Sequence, residues 1–307
     1  MLHTLHVWMM ALGLCLMVHT AGGAAEVEGK DSVQPVEKID LRYDFEKGQT
    51  RYIIMDATME MKTQLMGQTV PMTNLMNSKF SIQTTEVDAN GVATFQAHVD
   101  DLNMRMQFMG QTREIPRPDM AVQETMTFQI SPKGEFISDT SPEASELLTG
   151  TGAGVNKVAN FLSIRFPDEP VAVGDSWSND QEIAIPGGEN PVSHKQQLTL
   201  KELMTWEGER VALLEVNTTS DAKNLVLDPS QMPNQRMPLP EGQKITFEYL
   251  KTRQLLMIYF NLDTNAITYT TEKSDIDMKM NAAAGQPPVE MTIQMDAIYD
   301  TTDQKPE

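Results

Sequence analysis

Apolar and polar residues alternate with period two through most of this chain, a pattern that permits little besides β-structure. Ile39-Asp40-Leu41-Arg42-Tyr43-Asp44-Phe45 shows it cleanly, because successive strand residues point to opposite faces. Thr50 to Met61 repeats it after a turn at Glu46-Lys47-Gly48-Gln49. Residues 80–87 and 92–99 flank Asp88-Ala89-Asn90-Gly91, whose Asn-Gly pair predicts a hairpin. Met126–Ile130 and Glu135–Ile137 pair about Ser131-Pro132-Lys133-Gly134, and Gln197–Met204 and Val211–Asn217 about Glu207-Gly208-Glu209. Gln181–Ile185 and Ala266–Thr271 read as further strands. Leu255–Phe260 is continuously apolar, which predicts a central strand covered on both faces.

One stretch, 140–177, departs from the pattern. Thr140-Ser141-Pro142-Glu143 has the residues of a helix start. Gly150, Gly152 and Gly154 interrupt it. Val155, Val158, Ala159 and Leu162 then share one helical face, and Pro167 ends the helix. Gly150–Lys157 superficially resembles a phosphate loop, but it lacks the glycine before the lysine, the Ser or Thr after it, and a preceding strand. Asp168, Glu169 and Asp175 read as a solvated turn. Residues 228–243, rich in Pro, Gln and Gly, read as a long loop.

Short echoes link the two sides of this stretch. Gln64-Leu65-Met66-Gly67-Gln68-Thr69 returns as Gln107-Phe108-Met109-Gly110-Gln111-Thr112. Met126-Thr127-Phe128-Gln129-Ile130 is matched by Met291-Thr292-Ile293-Gln294-Met295, and Met104-Arg105-Met106 by Met278-Lys279-Met280. A duplicated design follows. The expected fold is mainly β: two related antiparallel curved sheets or half-barrels, residues 26–139 and 178–307, flanking a short helical link at 140–177. The amphipathic helix is expected to cover a sheet.

Residues 1–25 contain no Asp, Glu, Lys or Arg, and Val7–Val18 is apolar. That run has the length of a signal-peptide core and is too short to span a bilayer. Ala21–Ala25 supplies small residues for cleavage, so the chain is expected to be exported, periplasmic or secreted. Cys15, the one cysteine, follows the bulky Leu14 within the apolar run, which argues against a lipid anchor there. The mature chain then has no disulfide and no thiol chemistry. A formal charge of −19, from 43 acids against 24 bases, argues against binding nucleic acid or an anionic membrane.

Catalytic motifs are lacking. His98 falls in a strand and His194 in a polar loop, and both read as surface imidazoles. No serine has a nucleophile-elbow context. Carboxylate pairs such as Asp100-Asp101 say little in so acidic a chain. The chain therefore reads as non-enzymatic, with no cofactor and no resident metal.

Methionine is the distinctive residue, with 23 in the chain. Met59 and Met61, Met104 and Met106 with Phe108, and Met278 and Met280 repeat at i, i+2. On strands each set shares a face. These seven are the candidate ligand-binding residues. Three readings stay open: a plastic core, an apolar groove for a small ligand or a protein partner, and copper(I) held by soft thioethers. A purely structural envelope protein is the further alternative.

Leu41-Arg42-Tyr43-Asp44-Phe45-Glu46-Lys47-Gly48, followed by the helical middle and Pro167 to Trp177 with its Val-Gly-Asp-Ser-Trp turn, resembles an uncharacterised family of exported bacterial β-rich proteins. The resemblance implies export and no particular activity, and it transfers no site residue. In outline the layout also resembles periplasmic lipoprotein carriers.

Overall fold

The computed structural model describes residues 37–65, 67–115, 125–137, 161–183, 188, 190–228, 244–281 and 287–304. The expected signal peptide, the helix start at Thr140, the glycine run at 150–154 and residues 229–243 of the expected loop lie outside these residues.

Thirteen strands are formed among the described residues. In chain order they are β1 (Lys38–Ile39), β2 (Thr50–Leu65), β3 (Gln68–Val87), β4 (Ala93–Phe108), β5 (Gln111–Ile115), β6 (Thr125–Ile130), β7 (Val171–Ala172), β8 (Ser176–Ile183), β9 (Val192–Trp206), β10 (Glu209–Leu227), β11 (Ile245–Asn261), β12 (Ala266–Asn281) and β13 (Val289–Thr302). Strands β1 and β7 pair with each other. The rest form one antiparallel sheet in the order β5-β4-β3-β2-β13-β12-β11-β10-β9-β8, with β6 also on β4.

This arrangement corrects the expected fold. Two sibling sheets flanking a helical link are replaced by a single sheet, because β13 pairs with β2 from Glu290↔Gln64 to Thr302↔Tyr52. Two half-sheets would each leave a long unpaired edge, and joining them satisfies both rows of backbone groups. Among the described residues no helix element is formed. Phe161 and Leu162 carry helical backbone and pass straight into an irregular segment.

The turns explain the hairpins. Met109-Gly110 and Glu207-Gly208 both have positive φ, at 49° and 76° and at 51° and 89°. That is the geometry of tight turns that match the twist of the flanking strands. Before Gly91, Asp88 accepts from the N–H groups of Asn90 and Val92 at 2.8 and 2.9 Å. Strands run further than their period-two cores suggest. The twenty residues of β3 pass through Pro71, which is tolerated because the ladder with β4 stops at Met72↔Phe108.

One face of the sheet carries the core and is called the inward face below. Ile53, Met55, Phe80, Val99, Leu198, Leu214, Ile258 and Phe260 are all essentially inaccessible there. Burying each such side chain contributes about 1.5–3 kcal/mol. Among the described residues the cover over this end is a strap of mostly extended chain, and residues 155–160 of the expected covering helix lie outside them. Leu41 and Tyr43, then Phe161, Leu162, Ile164 and Phe166, pack onto the strands. The strap is tied by Tyr43 N–H to the Pro132 carbonyl at 2.7 Å and Phe166 N–H to the Lys133 carbonyl at 2.8 Å. Gly134, at φ +78°, lies so close that an added Cβ would sit 1.8 Å from the Ile164 carbonyl oxygen. Only glycine fits there.

Ring contacts show that the sheet curls around the strap. Phe260 on β11 touches Tyr43 at 5.7 Å, Tyr43 touches Phe45 at 5.2 Å, and Phe45 touches Phe95 on β4 at 5.0 Å. Five flat strand spacings between β4 and β11 would span about 24 Å. The ring chain is shorter, so the inward face is concave.

Candidate functional site

Beyond the strap, the inward positions of β9, β10 and β11 run apolar, polar, polar, apolar. Leu198, Val216 and Leu256 lie side by side at one height. One step along lie Gln196, Thr218 and Gln254, and at the next step His194, Ser220 and Thr252. Val192, Ala222 and Leu250 close the belt. Asn179 and Gln181 of β8 extend it beside Gln196 and His194. On β12, Ser274 continues the row of Gln254, and Glu272 stands beside Leu256.

Within this belt Glu272 is 2% exposed. Its carboxyl accepts from Gln254 Nε2 at 2.8 Å, Ser274 Oγ at 2.6 Å and the Tyr299 hydroxyl at 2.5 Å. Such a network holds a buried carboxyl in one orientation. His194 is 9% exposed, and its Nδ1 lies 2.9 Å from Ser220 Oγ. Gln196 Oε1 and Thr218 Oγ1 are buried with no protein partner. The belt borders a hollow of about 120 Å³, whose other walls include Phe161, Ile164 and Tyr299.

The same heights across the β12–β13–β2 seam carry thioethers. Met295 and Met59 follow Ser274, and Ile293 and Met61 follow Ile276. Met278 opposes Met291. These seven side chains, five of them methionines, pack as one cluster. A second cluster joins Met278 and Met280 to Phe247, Leu250 and Ala222 above the polar belt.

The seven residues singled out in the sequence thus share one face of one sheet but do not converge on a point. Met59, Met61 and Met278 meet in the thioether cluster. Met280 packs one strand over, against the group around Leu250. Met104 packs on the main core. Met106 stands opposite Asn74, half-buried, and Phe108 is 40% exposed opposite Met72, beside the β4–β5 turn. Met59 is buried, whereas Met61, Met104, Met278 and Met280 are half-buried.

His194 departs from its expected place. It lies in β9 and not in a loop, and it is buried. His98 lies on the outward face of β4, between the inward Ala97 and Val99. The two imidazoles are on opposite faces and share no site. Ser81, opposite His98, donates its hydroxyl to Asp100 at 3.0 Å. Among the described residues no group of three or more His, Cys, Asp or Glu is placed to hold a metal.

Leu255–Phe260 is also covered less than expected. Leu256, Ile258 and Phe260 are buried inward, while Leu255, Met257 and Tyr259 remain half-exposed. There Tyr259 packs with Trp206 at 4.6 Å and Tyr269 at 5.4 Å. A larger outer hollow of about 640 Å³ crosses β4, β3, β2, β13 and β12. Its polar pairs include Lys273 with Asp296 at 3.7 Å and Asn77 with Asp56 at 2.6 Å. The smaller inner hollow has the buried, fixed polar groups that a binding site needs.

Burial raises the Tyr43 hydroxyl pKa above the ordinary tyrosine range, against a smaller opposing pull from Arg51. At the thioether end, a hydrogen bond from Lys279 lowers Glu248, and the same bond raises Lys279.

Sequence reasoning missed the polar belt. Its signal was a pair of polar residues at inward parity in successive strands: His194 and Gln196, Thr218 and Ser220, Thr252 and Gln254, Glu272 and Ser274. Reading it needs the register, which only the fold supplies.

No protein-family model matches this chain, and no curated protein does. Several solved structures share a coarse likeness. A lipovitellin structure, titled for its lipid–protein interactions, is 9% identical with a TM-score of 0.43. That likeness covers 86% of this chain and 26% of the lipovitellin chain, so this chain spans about a quarter of that protein's length. DynF from the dynemicin biosynthesis pathway of Micromonospora chersina is 8% identical over 90% of this chain and 92% of its own, with a TM-score of 0.22. A DUF1329 family protein from Desulfovibrio piger is 11% identical over 84% and 85%, with a TM-score of 0.15. At TM-scores below 0.5 these likenesses assign neither a fold family nor a function.

Proposed function

We propose that this chain is an exported, non-enzymatic binding protein that holds an apolar ligand against the concave thioether wall. One observation carries the reading. The inward face continues past the strap as a row of half-buried methionines, Met61, Met278 and Met280, backed by Ile276 and Ile293. Thioethers on unbranched stems adapt to irregular apolar shapes, and a curved sheet supplies the concavity that small-ligand sites use. Among the described residues no helix is long and apolar enough to cross a membrane.

The test is fluorescence titration with N-phenyl-1-naphthylamine, which brightens on entering an apolar site. The expected result is saturable enhancement in the native protein, weakened at least about tenfold in Met61→Asp/Met278→Asp, a change of about 1.4 kcal/mol or more. No enhancement, or an unchanged affinity in the double variant, overturns the proposal. A copper(I) titration under reducing conditions separates the soft-metal alternative, which requires tight stoichiometric uptake.

A further inference from the structure

Resting on that reading, we infer that the polar belt beside the thioether wall is the head-group site of an amphiphile whose head is uncharged and carries hydroxyl or amide groups. The hollow and the wall adjoin: Ser274 of the belt is followed across the seam by Met295 and Met59, and Ile276 belongs to both. An amphiphile laid along this face meets polar groups at one end and sulfurs at the other.

Two atoms define the head's chemistry. Thr218 is 5% exposed, lines the hollow, and its hydroxyl has no protein partner. Gln196 Oε1, one strand away at the same height, is a buried acceptor without a donor. Leaving such groups unpaired costs free energy, and a ligand that can both donate and accept recovers it. A hydroxyl or amide does both.

Charge decides against the other heads. Among the described residues no Lys or Arg occupies an inward position of the belt, and Arg253, which lines the hollow, lies at outward parity opposite Asp275. An anionic head would lie beside the Glu272 carboxyl, with no inward cation among the described residues to pair it. A cationic head gains little from Glu272, whose oxygens already take three hydrogen bonds. The hollow of about 120 Å³ has room for several water-sized groups and not for a large sugar chain.

The experiment is displacement of N-phenyl-1-naphthylamine by three twelve-carbon amphiphiles below their micelle concentrations: monolaurin, laurate and dodecyltrimethylammonium. Monolaurin is expected to displace the probe about tenfold more effectively than either charged analogue. Thr218→Val, near-isosteric and free of the unpaired hydroxyl, is expected to reduce that preference about three- to tenfold. Gln196→Leu is expected to act in the same direction. Equal displacement by all three amphiphiles, or an unaltered preference in both variants, overturns the head-group site while the apolar wall stands. Failure of the probe itself to bind removes the wall and the head-group site together.

Discussion

Two halves of one concave face, at equal heights on adjoining strands, are built on opposite principles. On β8–β12 the layer beyond the strap is made of fixed hydrogen-bonding groups held between apolar rows. On β12, β13 and β2 it is made of sulfur and aliphatic carbon. Glu272, with three donors on one carboxyl, has essentially one way to sit. The cluster of Met59, Met61, Met278, Met291 and Met295 has many, since each side chain has three rotatable bonds and no polar demand. A sheet can thus place a rigid polar register beside a compliant apolar one simply by changing residues at inward parity, with no change in backbone.

Stability measurements can break this contrast. Glu272→Ala takes the shared acceptor from three donors at once, and a loss of about 3 kcal/mol in urea unfolding is expected. A loss under about 1 kcal/mol would show that the belt is rehydrated easily and is not a rigid frame. On the other half, Met59→Ala is expected to cost about 2–4 kcal/mol and Met59→Leu less than about 1.5 kcal/mol. Equal costs would mean that the thioether wall is as shape-specific as the belt.

The smallest effect tests the strap beneath both halves. The Tyr43 hydroxyl is buried without a protein partner, and burial raises its pKa. An unfolded tyrosine ionises near pH 10, whereas the folded one stays neutral beyond it. Its contribution is therefore complete below about pH 10 and is lost as pH rises above that. Tyr43→Phe is expected to be within about 1 kcal/mol of the native protein at neutral pH, on the stable side. It is also expected to lose less stability than the native protein above about pH 10. Parallel pH profiles for the two proteins would contradict this.

Local structure was legible in the residues. Asn90-Gly91 marks its hairpin, and the i, i+2 methionines mark a common face. The joining of the halves was not, because no local property of Met295 or Met59 announces that β13 will lie beside β2. The polar belt was hidden for a related reason. Thr218 and Ser220 are ordinary strand residues, and His194 follows Pro191 closely enough to look like loop. Only their alignment with Gln254 and Glu272 gives them meaning. The strap shows the reverse case: alternation in Ile39–Phe45 marks the inward side chains, with Ile39, Leu41 and Tyr43 buried and Phe45 half-buried, yet none of these residues pairs with a strand of the main sheet.

The β13–β2 seam has a kinetic consequence. Of the described strands, the one that comes last in chain order fills the middle of the sheet. Until it arrives, β2 and β12 each present an open ladder to whatever is near, and closing it requires meeting residues from the opposite end of the chain. Assembly is therefore expected to be slow, its final step to complete both halves together, and the waiting intermediate to be the species most prone to self-association.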